Sequence, residues 1–507
     1  MKAFLMHERA DFDLEADPPP LSADLAQDLE LGTLWNAMAA GDQFLFDVAQ
    51  RAMLNGLTDP DAIAYRQAVL TDCLASPAVV RDLYDLAVTA VEGERKVFYG
   101  LFFRDSPEII LHRSVEVLQF FTGLLKTLRT FADEQAGNFR SAGFTRLFSM
   151  LSAELSDEYF AEIEAHLSTL KFRRGVLISA RLGSGNLGTG YVLRQPREQG
   201  WRDRLPLGGR DSLSFLVAER DEAGMRALSK LNGRGTNLVA NATAQSADHI
   251  LSFFRMLRAE LAFYIGCLNV HDRLTGLGEP ACFPVPLPPS AGPDLSAQEL
   301  YDACLALHTS TAVVGNDVAG SGQSLIMITG ANQGGKSTFL RSAGLAQLMM
   351  QAGMFVAARE FRADVRDGVF THYKREEDAS MRSGKLDEEL SRMSRIIDQI
   401  GPGAMLLCNE SFASTNEREG AEIARQITGA LLARGVKVLY VTHLFDLANG
   451  LYQQNMATAL FLRAERQAGG QRTFRIIPGA PLPTSHGEDV YQRIFGTERL
   501  DVGAPPG

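Results

Sequence analysis

The spacing of apolar and polar positions divides the chain into six stretches. Residues 1–30 are acidic and carry Pro18, Pro19 and Pro20, so an irregular lead-in is expected there. From about 31 to 170 apolar residues recur at three-to-four spacing, as in Val117, Phe121, Leu124, Leu128 and Phe131, and Gly and Pro are sparse. That period predicts packed helices. At 171 the texture changes. GVLISARLGSGNLGTGYVL reads as two strands about a Gly/Asn turn, and SLSFLVAER as another strand. Helical spacing returns near 245, where Ile250, Phe254, Leu257, Leu261, Tyr264 and Leu268 suit one long packed helix. FPVPLPPSAGPDL, residues 283–295, holds five prolines and predicts a stiff linker. Strands and helices then alternate over 296–507, the pattern of an α/β domain. The expected chain is therefore multidomain, α and α/β. A helical domain over 31–282 carries a β-rich insertion at about 171–245, and an α/β domain follows the linker.

Composition narrows the class. Hydrophobic residues make up 46% of the 507 and charged residues 22%, which fits folded domains and excludes a disordered or collagen-like chain. No run of about 18 apolar residues occurs, so no transmembrane helix is expected. The N-terminus turns acidic too soon for a signal peptide. The five cysteines are scattered with no CxxC pair, which suits a reducing, cytoplasmic setting and no zinc site.

The net charge of −11 is unevenly spread. Residues 1–50 hold ten acids and two bases, net −8, whereas residues 171–235 hold thirteen bases and six acids, net +7. Such a basic segment on an acidic chain is either a polyanion contact or a solvated β-rich surface.

One motif carries explicit chemistry. The apolar run Ser324–Thr329 is followed by Gly330, Ala331, Asn332, Gln333, Gly334, Gly335, Lys336, Ser337 and Thr338, a match to G-x-x-x-x-G-K-[ST]. Glycines let backbone N–H groups close around phosphates. Lys336 neutralises the outer phosphates, Ser337 offers a hydroxyl to Mg²⁺, and the start of the next helix adds its dipole. A second apolar run, Ala404–Cys408, ends in Asn409 and Glu410. The usual pair there is a metal-holding Asp and a water-polarising Glu. Asn409 can still accept a bond from metal-bound water but brings no charge, and Glu410 is the general-base candidate. The alternative is that both merely cap a strand. A third run, Val436–Val441, ends in Thr442 and His443. His443 stands where α/β ligands bind and either senses the outer phosphate or is a satisfied strand-end side chain.

Together these stretches resemble the MutS family of DNA-repair ATPases. TGANQGGKSTFLRSAGLAQLMMQAGMFVAA is similar to that family's phosphate loop and following helix. ESFASTNEREG, with Thr415 and Gly420, is similar to the loop after its catalytic Glu, and VTHLFDL to its Thr-His segment. His308, Val313–Asn316 and Ser485-His486-Gly487 also fall on family positions. The resemblance implies ATP and Mg²⁺ as ligands, with Val313 and Asn316 at the adenine and Ser337 and Asn409 at the metal. It implies a P-loop, ABC-like ATPase domain over 296–507 joined to a helical core/lever domain with a clamp-like insertion. It also implies a homodimer in which Ser383 and Gly384 complete the neighbouring nucleotide site, although an ordinary helix cap at Gly384 stays open. The usual Ser/Thr-Phe of that loop is replaced by Gly384-Lys385-Leu386. On the resemblance, neither the family's mismatch-wedge domain nor the nuclease domain of one branch is expected within these 507 residues.

The resemblance places the basic insertion at the clamp, which implies contact with duplex or branched DNA. Arg173, Arg174, Arg181, Arg194, Arg197, Arg202 and Arg204 are the candidates. Arginine suits phosphate. Tyr191 and Trp201 are the few aromatics nearby, so backbone contact is expected over base stacking. The function expected is a DNA-binding ATPase of mismatch repair or recombination. The alternatives are a nucleotide-gated binder that hardly hydrolyses, favoured by Asn409, and a small-molecule phosphotransferase, disfavoured by the long helical half. An ABC-type ATPase proper would carry a Leu-Ser-Gly-Gly-Gln run, which is missing.

Overall fold

A computed structural model of the chain describes residues 1–98, 107–172, 175–194, 216–218, 220–375, 384–466 and 472–482. It forms two compact units: Met1–Leu5 with Ser76–Leu261, and Met6–Ala75 with Ala262–Gly507. No helix among the described residues is long and apolar enough to cross a membrane.

The helical half comprises α1 (Ser22–Asp28), α2 (Leu31–Ala39), α3 (Gln43–Leu54), α4 (Pro60–Ala75), α5 (Pro77–Phe98), α6 (Pro107–Gln135), α7 (Ala142–Glu154) and α8 (Asp157–Leu170). Their starts follow local chemistry. Pro60, Pro77 and Pro107 open α4, α5 and α6, where a missing N–H costs nothing. Asp42, Ser141 and Ser156 cap α3, α7 and α8 by accepting first-turn N–H bonds. On α6 the fully buried line runs Leu118, Phe121, Leu125, Leu128 and Ala132, while Leu124 and Phe131 stand at its margin.

The first unit is built on aromatic packing, with Phe121 and Phe254 rings 5.9 Å apart and Phe139, Phe144 and Phe148 clustered. Strands β1 (Leu177–Leu182) and β2 (Gly188–Arg194) pair antiparallel as a hairpin. The hairpin lies on α9 (Glu222–Gly276). A Cβ on Gly235 of that helix would sit 2.5 Å from Ile178, so only glycine permits the approach.

Three expectations need correction here. Helix does not return near 245: α9 begins at Glu222 and runs 55 residues, about 80 Å at 1.5 Å per residue. Its first turns escape the periodicity rule because Leu231 and Leu238 are exposed and Gly224, Gly233 and Gly235 interrupt the pattern. The β-rich insertion is one hairpin among the described residues. Of SLSFLVAER, residues 216–218 form no strand and 212–215 lie outside the described residues. The lead-in over 1–30 is not irregular throughout: α1 occupies Ser22–Asp28, and Ala3, Leu5, Met6 and Phe12 ahead of it are buried.

The second unit holds two sheets. β3 (Val285–Leu287), β4 (Leu295–Leu300), β5 (Asn316–Ala319) and β7 (Glu360–Asp364) form one, in order β3-β7-β4-β5. The proline-rich stretch is thus not a free linker. Pro286 is tolerated because β3 is an edge strand, where one ladder donor is dispensable. The other sheet contains β6 (Leu325–Thr329), β8 (Val369–Tyr373), β9 (Met405–Asn409), β10 (Lys437–Val441), β11 (Ala459–Arg466) and β12 (Arg472–Pro478), in order β12-β11-β6-β10-β9-β8. All its pairs are parallel except β11 with β12. β6 and β10 are buried at every position, which is why they read as continuous apolar runs. The remaining helices are α10 (Ala303–Thr309), α11 (Lys336–Gln351), α12 (Lys385–Gln399), α13 (Glu417–Ala433) and α14 (Phe445–Tyr452).

A buried ion cluster sits at the amino end of β10. Lys437 Nζ lies 3.4 Å from Asp364 Oδ1, and Arg366 pairs with the other Asp364 oxygen. Burial lowers Lys437 from 10.5 to about 8 against the pull of Asp364. Between those two values the unfolded chain binds a proton that the folded chain does not. Stability therefore rises with pH from about 8 to 10.5 through this residue. Lys437→Met leaves Asp364 paired with Arg366, so the variant should be as stable as the parent or more so at pH 7. Urea unfolding of both chains at pH 7.5 and 9.5 checks this, and the parent should gain on the variant as pH rises.

Candidate nucleotide site

The phosphate loop leaves β6 at Gly330 and enters α11 at Lys336. Gly330 (φ 121°) and Gly335 (φ 89°) hold backbone angles that side-chain-bearing residues rarely adopt. Gly335 also faces the Phe474 carbonyl of β12, where a Cβ would come within 3.0 Å. Lys336 is buried, and its Nζ donates to the carbonyls of Gly330 (2.7 Å) and Ala331 (3.0 Å). Burial lowers its pKa and the charge of Glu410 opposes that shift. Gln333, at φ 61°, accepts a bond from Arg472.

Beside the loop, Ser337 Oγ donates to Asn409 Oδ1 at 2.9 Å. Glu410 follows in a left-handed conformation (φ 54°), and its N–H donates to the Val441 carbonyl at 2.9 Å. Strain of this kind in a residue other than Gly gathers at functional sites. Glu410 Oε2 lies 3.6 Å from His443 Nδ1, an ion-pair separation too long for a direct hydrogen bond. The His443 ring holds the Glu410 carboxyl below its ordinary value, burial pushes it up, and Lys336 and Lys374 add to the lowering. Neighbouring Thr442 is buried, donating its N–H to Ile328 O and accepting Leu444 N–H on Oγ1, each at 3.0 Å.

The strained turn rests on buried polar groups. His372 of β8 contacts Ser411 Oγ through Nδ1 (2.7 Å) and the Glu389 carbonyl through Nε2 (3.0 Å). Burial, then Arg392, depresses His372 to about 4, so the ring is neutral. Nε2 then carries the proton, because the Glu389 carbonyl can only accept, and Nδ1 shares the one Ser411 hydroxyl proton with the His372 carbonyl, 2.8 Å from Ser411 Oγ. Tyr440 Oη donates to the Ser411 carbonyl at 2.9 Å. Gly420 of α13 lies against the Phe412 carbonyl, where a Cβ would come within 2.3 Å. Asn416 caps α13 by accepting Glu419 N–H at 2.9 Å.

These elements enclose a cavity of about 610 Å³ lined by Asn332–Thr338, Asn409 and Glu410, together with Lys374, Arg375 and Lys385. Phosphate loop, Asn409 and Glu410 therefore converge, with His443 against Glu410. Among the described residues no group of three or more His, Cys, Asp or Glu could hold a metal. The neutral oxygens of Ser337 and Asn409 suit Mg²⁺ carried chiefly by nucleotide phosphates and water.

Other expected residues fall elsewhere. Asn316 does not line this cavity. It opens β5, and its Oδ1 accepts the Ile476 N–H of β12 at 2.7 Å, so the amide joins two strands. It faces a separate cavity of about 860 Å³. Val313 is also absent from the phosphate-loop lining, and its N–H donates to Glu279 at 2.5 Å. His308 is exposed in the last turn of α10. Gly384 is the N-cap of α12, and its carbonyl accepts Glu388 N–H at 3.1 Å. Lys385 lines the cavity of its own chain. Ser383, Arg173, Arg174, Arg197, Arg202, Arg204, Trp201 and Ser485-His486-Gly487 lie outside the described residues. Arg181 and Arg194 are exposed on β1 and β2. Sequence reasoning missed Lys374 and Arg375. The available signal was a basic pair directly after the strand-like run VFTHY.

Two family models match the chain. The MutS2 N-terminal domain covers residues 58–277, and MutS domain V covers residues 326–494. The DNA mismatch repair protein MutS of Thermus aquaticus is 32% identical over 182 residues, 36% of this chain and 22% of that protein. The MutS of Thermotoga neapolitana is 36% identical over the same shares. Endonuclease MutS2 of Lacticaseibacillus casei is 32% identical over 198 residues, 38% of this chain and 25% of that protein. The matched stretches thus span about a quarter of these relatives. With both halves of the chain matched by models of one family, and with the loop geometry described above, the chain belongs to the MutS family.

Proposed function

We propose that this chain binds and hydrolyses ATP with Mg²⁺ and uses the nucleotide state to control DNA binding, as a homodimer acting in mismatch repair or recombination. The observation that carries the reading is the convergence of Lys336, Ser337, Asn409 and Glu410 on one cavity, with His443 against Glu410. In that geometry the loop N–H groups and Lys336 cradle the phosphates. Ser337 and Asn409 orient the metal's water shell, and Glu410, kept ionised by His443 and the nearby lysines, takes a proton from the attacking water. Mg²⁺, when bound, neutralises charge developing on the transferred phosphoryl group. The mismatch-repair and endonuclease activities named for the relatives are those proteins' own. The second reading is a nucleotide-gated DNA binder with little turnover, favoured by the uncharged Asn409.

The DNA contact is proposed on the first unit. Arg181 and Arg194 stand on the hairpin, and Arg226, Lys230 and Arg234 follow at four-residue spacing along α9, on one helical face. The last three border a groove of about 720 Å³ with Tyr191, whose ring lies 5.6 Å from the Arg234 guanidinium. Gly233 and Ser229 keep the groove floor low. Arg173, Arg174, Arg197, Arg202 and Arg204 remain proposed contacts from the sequence. Ser383 and Gly384 remain the proposed in-trans residues.

Lys336→Ala should abolish MgATP binding, and calorimetry showing unchanged affinity would refute the nucleotide reading. Glu410→Gln should keep ATP binding and reduce steady-state turnover about 100-fold or more, the usual contribution of a general base. Asn409→Asp should lower the Mg²⁺ concentration needed for half-maximal turnover; a slower, equally Mg²⁺-demanding variant contradicts the role given to Asn409. For DNA, replacing Arg181, Arg194, Arg226 and Arg234 by Gln should weaken binding of all sequences alike. Each lost phosphate contact should cut the log–log salt slope by about one, while ATP affinity is unchanged. A parental salt slope would place the DNA elsewhere.

A further inference from the structure

The turn that carries Glu410 is gripped from the α12 side by one residue. Glu389 is only 2% exposed, on a helix that is otherwise strongly polar. Its Oε1 accepts from Ser414 Oγ at 3.1 Å, while its Oε2 is buried without a well-formed hydrogen bond among the described residues. Burial raises the carboxyl above its ordinary value, and Ser414, Lys374 and the Phe412 N–H pull it back. The Glu389 carbonyl accepts from His372 Nε2 at 3.0 Å, and His372 Nδ1 lies 2.7 Å from Ser411 Oγ. Main chain and side chain of Glu389 thus act together on the segment directly after Glu410. One turn further along α12, Arg392 donates to the Tyr373 carbonyl at 2.8 Å, and Tyr373 pairs with Asn409. At its start α12 brings Lys385 to the cavity wall. An apolar side chain of similar size would fill the place of Glu389 without desolvating a charge. The carboxylate therefore serves the geometry of the turn rather than its stability. That geometry needs support, because Glu410 (φ 54°) and Phe412 (φ 62°) hold left-handed angles that persist only where neighbours over-determine them.

We propose that Glu389 is a positioning residue for nucleoside triphosphate hydrolysis: through Ser414 and through His372 with Ser411 it sets the placement of Glu410, and it ties that placement to the helix whose start lines the cavity. This rests on the nucleotide reading above. Among the described residues Glu389 does not line the cavity, so it acts only through Glu410. Misplacing a reacting group by about 1 Å can cost about a hundredfold in rate, so a contact this far from the nucleotide still matters. A nucleotide that shifts the start of α12 moves Glu389 with it, and the turn reports the occupancy of the cavity to its own base.

The test measures kcat, KM and calorimetric ATP affinity for the full chain and for Glu389→Ala, Glu389→Gln, Ser414→Ala, Glu410→Gln and Glu389→Ala/Glu410→Gln. Thermal unfolding followed by circular dichroism verifies that each variant is folded. Glu389→Ala should lower kcat at least about tenfold while ATP affinity stays within about threefold of the parent. Glu389→Gln keeps an oxygen for Ser414 and should recover most of that loss. Ser414→Ala should lower kcat in the same direction with ATP affinity unchanged. In the Glu410→Gln background, Glu389→Ala should cost less than about twofold more, because the group it positions is already gone. A Glu389→Ala loss that multiplies in full with that of Glu410→Gln overturns the proposal, as does one that weakens ATP affinity as much as kcat. If Glu389→Ala does not fold, a folded Ser414→Ala with parental kcat overturns it. A parent that binds ATP without turnover overturns the proposal together with the base role of Glu410 and leaves the nucleotide site standing. No ATP binding by the folded parent overturns the nucleotide reading itself.

Discussion

The parallel register of β8, β9, β10 and β6 is the constraint on which the site depends. Tyr373, Asn409 and Val441 lie side by side across three strands, and Val441 pairs with Ile328 of β6. Parallel pairing puts the carboxyl ends of all four strands at one edge, so segments distant in sequence leave the sheet together. A slip of one residue would turn each buried face to the other side and carry Asn409 away from Ser337. The buried Leu406, Leu407, Val438 and Leu439 make such a slip costly, because each would exchange its apolar neighbours for the opposite layer.

Polar groups beneath that edge set its finer shape. Glu410 and Phe412 both hold left-handed backbone angles, at a cost of order 1–3 kcal/mol each. The Val441 carbonyl, the His372–Ser411–Tyr440 contacts and the absence of a side chain at Gly420 fix the turn against that cost. His372 also reaches the backbone of α12 through Glu389, and the Glu389 carboxylate accepts from Ser414 in the loop after Glu410. The helix that starts at the cavity rim and the turn that carries the base candidate are therefore bonded to a common strand.

The acidic beginning of the chain acquires a structural role from the same unit. Asp24 and Asp28 of α1 meet Arg375, Asp28 also lies 3.8 Å from Arg392, and Glu30 pairs with Arg341 of α11. Asp28 is nearly covered. Burial raises its carboxyl, and Thr371 with the two arginines pulls it back. A stretch that reads in sequence as an acidic, irregular lead-in is thus partly a charge-matched cover for Arg341, Arg375 and Arg392. It neutralises Arg375 among the cations that line the cavity.

The sequence by itself determined the local parts. The glycine spacing from Gly330 to Gly335, the apolar runs of β6, β9 and β10, and the helical period across Ile250–Leu268 are properties of short windows, in which backbone sterics and burial act directly. Family membership was legible for the same reason, since it rests on those windows. Tertiary structure decided what depends on distant partners. Asn316 looked free to meet a base until β12 claimed its amide. The prolines at 283–295 looked like a linker until β7 offered an edge where a missing donor does no harm. Helical spacing was legible only from about 245, and the earlier turns of α9 are decided by packing in which Gly235 admits Ile178 of the hairpin. Lys374 and Arg375 were an unremarked basic pair until the register of β8 delivered them to the cavity and α1 neutralised one of them. Pairing partners and neighbouring charges lie tens to hundreds of residues away, and no local pattern encodes which of them will arrive.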